Sequence, residues 1–238
     1  MPPTREHARP VEGSTREPTS EAVADRLLST GLVLAATAFA VQALVHLLNF
    51  VLFDLELEEL SAGSEEGVFT WASTVATFAA AFALLVHAAS GPSWRRDLLL
   101  LAGILAFFSF DDVLQVHERI GDAVEELGIP DEWELRRIIW PAVFFPLLAA
   151  AFVLLLRLSR ASPARERRFI RGGMALLVAA IALEAISTVQ FRLGWEKRTW
   201  PFEIEIVLEE GAELAGWIVI AAAVTAITVR ALAALPRR

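Results

Sequence analysis

The residues best suited to chemistry in this chain are acids and histidines set where hydrocarbon is expected. In "FSFDDVLQVHE" (residues 108–118) an apolar run gives way to Asp111, Asp112, His117 and Glu118. In "LEEGAELAGW" (residues 208–217) Glu209, Glu210 and Glu213 recur at helical spacing among apolar neighbours. Glu184 stands inside "MALLVAAIALEAIS" and His46 inside "VQALVHLLNF". Several carboxylates and an imidazole are a donor set for a divalent metal ion. Ionisable groups inside a membrane segment carry a presumption of function. The leading metal ligands are therefore Asp111, Glu118, Glu184 and Glu213. His117, Glu209, Glu210 and Asp112 come next, and His46 is a weaker candidate because a lone histidine on an apolar helix is commonly a hydrogen-bonded packing residue.

The elements that must position these groups are membrane helices. The chain has 238 residues, 55% of them hydrophobic, and the excess lies in long blocks. A spanning helix needs roughly 20 apolar residues. Six blocks qualify, at about 27–53, 68–90, 98–118, 138–158, 172–193 and 204–230. In lipid their backbone groups must be satisfied internally, so the fold class is an all-α bundle of six transmembrane helices. Residues 1–26 are rich in Pro, Arg, Glu, Ser and Thr, and read as a disordered tail rather than a cleaved signal. There is no internal repeat. The absence of cysteine excludes disulfides, thiolate metal sites and cysteine nucleophiles.

Arginine sets the orientation. Fifteen of the 21 Lys and Arg fall in the N-terminal tail, after the second and fourth blocks, and at the C-terminus. The positive-inside rule makes that side cytoplasmic, with both termini on it. The acidic loops at 54–66 and 118–137 then face outward. At about 1.5 Å per residue, Asp111 and His46 lie roughly 10 Å below the outer boundary, with Glu184 and Glu213 only slightly deeper. Asp111, Gln115 and Glu118 share one helical face, and Glu205, Glu209, Glu210 and Glu213 share another.

Each acid at a helix centre costs about 2.5–3.5 kcal/mol on insertion scales, so something must compensate: protons, an arginine such as Arg119, Arg192 or Arg198, water, or a metal ion. Two plainer readings compete. The "DDVLQVHE" segment is also what a helix end surfacing into headgroups looks like. The "LEEGAELAGW" acids would all lie outside if the last span began at Leu214, but that register leaves Arg230 deep in lipid.

The two motifs resemble those of uncharacterised bacterial polytopic membrane proteins that carry an Asp-acid pair followed by His-Glu in one helix and Glu-Glu-x-x-Glu in the last. The resemblance implies this architecture and a site at Asp111, Asp112, His117, Glu118, Glu209, Glu210 and Glu213, and it implies no activity. Other families fit poorly. The last two helices lack the histidines of alkaline-ceramidase-type hydrolases. The single lysine, Lys197, is in a loop, unlike that of a microbial rhodopsin. His117-Glu118 are adjacent, unlike the Glu-x-x-His pairs of di-iron bundles.

The expectation is thus a bacterial inner-membrane protein with a carboxylate/histidine site in the outer leaflet half. It binds a divalent metal and acts on a small-molecule or lipid substrate if it is an enzyme. Its partner is the bilayer, not nucleic acid. A cation or proton transporter and a structural or sensory module with acid–arginine pairs are the alternatives.

Overall fold

The computed structural model describes residues 19–116, 119, 135–192 and 198–236. Those residues form six long helices and no strand: α1 (Ser20–Phe53), α2 (Val68–Ala89), α3 (Arg95–Leu114), α4 (Leu135–Ala161), α5 (Ala164–Arg192) and α6 (Trp200–Ala233), with a single 3-10 turn at Glu58–Leu60. All but α3 are long and apolar enough to cross a membrane. In α3, Arg95, Arg96 and Asp97 at one end and Asp111 and Asp112 at the other leave only residues 98–110 free of charge.

Several boundaries differ from the sequence reading. The first helix starts at Ser20 rather than near 27, because the Thr19 hydroxyl caps it, accepting the Ala22 N–H at 3.3 Å. The third was expected to run to 118. It ends at Leu114, where Gln115 turns left-handed (φ 52°) and returns its N–H to the Asp111 carbonyl at 2.7 Å. The shared face of Asp111, Gln115 and Glu118 inferred from continuous helical geometry is therefore broken after its first member. His117, Glu118 and the short helix expected near 120–127 lie outside the described residues.

α6 is the axis of the bundle. It packs against α1, α2 and α5, while α2 pairs with α3 and α4 bridges α3 to α5. The helices α2–α3–α4–α5–α6 thus close a ring, with α1 outside it against α6. Small residues permit the close approaches. A Cβ on Gly31 of α1 would collide with that of Ala222, and one on Gly173 of α5 would come within 2.8 Å of the Gly216 carbonyl on α6. Phe39 lies on Gly211 and His46 on Glu203, so α1 and α6 run antiparallel.

The outward faces are apolar, as lipid contact requires: Val33 (66% exposed), Leu44, Leu52, Phe78 and Phe82 all point away from the bundle. Arginines gather at one end. Arg230 donates Nε–H to the fully buried Glu166 at 2.6 Å and reaches Glu21 and Asp25, and Arg157 pairs with Asp97. That network joins the beginnings of α1 and α5 to the end of α6. Gly31→Val overpacks the α1–α6 contact. It should destabilise the bundle by about 1–3 kcal/mol, read as a lower midpoint of thermal unfolding in detergent, whereas Val33→Ala on the exposed face should leave that midpoint unchanged.

Candidate functional site

At the end of the bundle opposite the arginines, the ring of helices encloses a cavity of about 280 Å³. The first turns of α2 supply Thr70, Ser73 and Thr77, and α3 supplies Asp111 and Asp112 from its last turn. α5 supplies Glu184, and α6 supplies Glu209, Glu210 and Glu213. Glu65, on the segment leading into α2, completes the rim. Seven carboxyl groups from three helices and one loop therefore face one space, with α2 adding hydroxyls.

The spacing on α6 explains its share. Glu209 and Glu213 are four residues apart and lie one above the other, and Glu210 is offset by 100° on the same side. Asp111 and Asp112 reach the cavity because α3 stops there, its final turn ending beside the α2 hydroxyls. Thr74 Oγ1–H donates to Asp112 Oδ2 at 3.2 Å, and Ser109 Oγ–H donates to the Thr74 carbonyl at 3.1 Å, tying α3 to α2 at this level. Glu213 Oε1 accepts from Ser73 Oγ at 3.4 Å and from the indole Nε1–H of Trp217 at 3.3 Å.

The deeper walls are apolar: Phe108, Phe144, Leu148, Leu177 and Trp217. Beneath them Leu84, Leu101, Leu105, Leu155 and Ile220 are packed with almost no exposed surface. The chamber is thus open toward one end of the bundle and sealed toward the other.

Asp112, Glu209 and Glu210 have no arginine or lysine partner among the described residues. Arg198, one of the arginines considered as compensation, turns instead to the exposed Asp54 at 3.7 Å. No three His, Asp or Glu side chains among the described residues already converge as they would around a bound ion. The donors are oxygens throughout, from carboxyls and the Ser73 and Thr74 hydroxyls, a set that suits hard cations such as Mg²⁺, Ca²⁺ or Mn²⁺.

His46 does not join this group. It faces α6 from outside the ring, fully buried. Its Nδ1 accepts the Ala62 N–H at 2.9 Å, so the ring proton sits on Nε2 and is donated to Glu203 Oε2, also at 2.9 Å. Both nitrogens are committed, which removes His46 as a metal ligand in this arrangement. One turn on, the Asn49 amide grips Leu57 from both sides, with Nδ2–H to its carbonyl at 2.8 Å and Oδ1 from its N–H at 3.3 Å. Together His46 and Asn49 fasten residues 57–62 to α1, and that segment delivers Glu65 to the rim. Phe50 packs edge-on against Trp200 at 5.0 Å to close the same corner.

The structure brings together Asp111, Asp112, Glu184, Glu209, Glu210 and Glu213, and sets His46 apart. Sequence reasoning missed Glu65, Ser73, Thr74 and Trp217 as site residues. Trp217 sits one turn beyond Glu213 on the same face, a spacing that could have singled it out. The α2 hydroxyls carried no such signal.

The family profile for a Domain of unknown function (DUF8692) matches residues 26–227, all of the helical bundle but the first turns of α1 and the last turns of α6. The chain belongs to that family. No curated protein and no solved structure matches the chain. The family's matched span thus takes in every acid of the chamber and the His46 clasp alike.

Replacing His46 with alanine removes an acceptor from the Ala62 N–H and a donor from buried Glu203. It should cost about 1–3 kcal/mol and raise hydrogen exchange selectively across residues 57–67. Unchanged exchange there would show that the clasp does not hold the rim.

Proposed function

We propose that this membrane protein binds a hard divalent cation in its acid-lined chamber. The observation that carries the reading is that Asp112, Glu209 and Glu210 enter one space without a basic partner among the described residues. A carboxylate in such surroundings demands a counter-charge, and one divalent ion can take oxygens from several of them at once. Asp112, Glu210 and Glu213 line the chamber together, with Asp111 beside them and the Ser73 and Thr74 hydroxyls bonded to Glu213 and Asp112.

The chamber faces the extracytoplasmic side of a bacterial inner membrane, because the arginine-rich end takes the cytoplasmic position under the positive-inside rule. All six helices cross, α3 included, its short apolar stretch being covered by α2 and α4. A cation held there supplies a Lewis acid or an acidified water. The apolar walls around Phe108, Phe144 and Trp217 suit the carbon skeleton of a small-molecule or lipid substrate.

Two observations weigh against the other readings. Among the described residues, packed leucines lie below the chamber where a transported ion would have to pass. Acid–arginine pairing of the structural kind is concentrated at the opposite end, on Arg230 and Glu166.

The protein purified in detergent, stripped with chelator and returned to Mn²⁺, should hold bound ion at neutral pH. Asp112→Asn or Glu210→Gln should each weaken that binding at least about tenfold. Asp25→Asn, at the arginine-rich end, should not. Wild-type protein that retains no ion after removal of excess Mn²⁺ refutes the reading.

A further inference from the structure

The ring of helices around the chamber is not equally closed on all sides. Hydroxyls of α2 join it to α3 and to α6 at chamber level, through Thr74–Asp112 and Ser73–Glu213. Leu177 of α5 lies over Gly216 of α6. Phe107 of α3 meets Phe144 of α4 with ring centroids 5.5 Å apart. The remaining seam, between α4 and α5, differs. Ile181 of α5 lines the chamber and is 42% exposed, whereas the other described helical residues of the lining are buried or half-buried.

The hairpin accounts for this gap. Only residues 162–163 separate α4 from α5, and near that turn Leu155, Leu158 and Ile170 have almost no exposed surface. Ile170, Met174 and Ile181 lie on one side of α5, within about 40° of one another. Ile170 is fully buried, Met174 half-buried and Ile181 exposed. The same side of α5 therefore loses its cover on the way to the chamber, as two helices diverging from a common turn would have it. Ile181 lies inside the apolar stretch of α5, and its neighbour Val178 is exposed as well. The side opening thus leads toward hydrocarbon rather than water.

The lining matches an amphiphile. Acids and hydroxyls stand at the open end, Phe108, Phe144, Leu148 and Leu177 lie beneath them, and Ile181 stands at the side. Pockets that enclose a drug-sized ligand measure about 300–1,000 Å³. At about 280 Å³ the chamber has room for a lipid's head and nearest carbons, and the rest of the chain has to leave. An exit into hydrocarbon lets it leave without exposing apolar surface to water.

We propose that the chamber takes a long-chain amphiphile of the bilayer, admitted sideways between α4 and α5. The polar head lies at the acids and the chain passes out between Leu148 and Ile181. The proposal rests on the chamber being the binding site, as in the reading above, but not on the cation. A hydroxyl head can donate directly to the carboxyls.

The probe is a long-chain fatty alcohol with a diazirine a few carbons from the hydroxyl. The full chain in lipid nanodiscs, in the presence of chelator, is irradiated with it, and labelled residues are mapped by mass spectrometry. Phe82, 60% exposed on the outside of α2, reports contact with bulk lipid, and Trp217, 7% exposed and lining the chamber, reports entry. Wild type is expected to be labelled at both. Ile181→Trp and Leu148→Trp, which fill the opening from either lip, should lose the label at Trp217 and keep it at Phe82. Ile181→Ala, which widens the opening, should keep both.

A wild type labelled at Phe82 but not at Trp217 overturns the proposal. So does a label at Trp217 that survives both lip variants, or one that Ile181→Ala also removes. No metal is present in the experiment, so each of these failures leaves the cation reading to its own Mn²⁺ test.

Discussion

A carboxyl group enclosed by apolar helices has to find a donor, a proton or a cation, because hydrocarbon offers it nothing in return for the water it gives up. α6 carries its acids into such surroundings along one face, and the rest of the bundle is arranged around that fact. α2 answers with hydroxyls, placing Ser73 against Glu213 and Thr74 against Asp112. α3 ends early, so that its two aspartates arrive at the same level. α1 answers on the other flank, where His46 satisfies Glu203 and frees the chamber from that charge. Two neighbours of α6, α1 and α2, thus each meet one of its acids.

The two ends of the bundle solve the burial of charge in different ways. At one end Arg230 is shared among Glu166, Glu21 and Asp25, so acid and base neutralise each other inside the protein. At the other, Asp112, Glu209 and Glu210 gather with no base among the described residues. An ion pair made within the chain is complete without a ligand. A group of acids sharing one space is not, and that asymmetry is what the cation-binding proposal rests on.

The geometry of the acid-lined end depends on close packing elsewhere. The glycine contacts of α6 with α1 and α5 hold its axis near both, and the sealed leucine layer under the chamber keeps water from entering from below. The His46–Ala62 and Asn49–Leu57 hydrogen bonds transmit the position of α1 to the rim. Rigid support of this kind lets a site of flexible glutamates keep one geometry.

What the sequence determined alone was the class of structure and the residues under suspicion. Long apolar blocks leave helices as the economical solution in lipid, and acids inside those blocks declare themselves because they are expensive there. Hence Asp111, Asp112, Glu184, Glu209, Glu210 and Glu213 were legible before any fold was known. The end of α3 at Gln115 was not, because a left-handed turn at a non-glycine residue depends on tertiary contacts that periodicity does not carry. Nor was the fate of His46: a buried imidazole reads the same in sequence whether it faces a metal or a glutamate. Only the tertiary structure decided which acids share a space and which receive a partner, because that choice turns on which helix faces which. Helix neighbours are set by small-residue contacts such as Gly31 on Ala222 and Gly173 on Gly216, far apart along the chain and silent within any one segment.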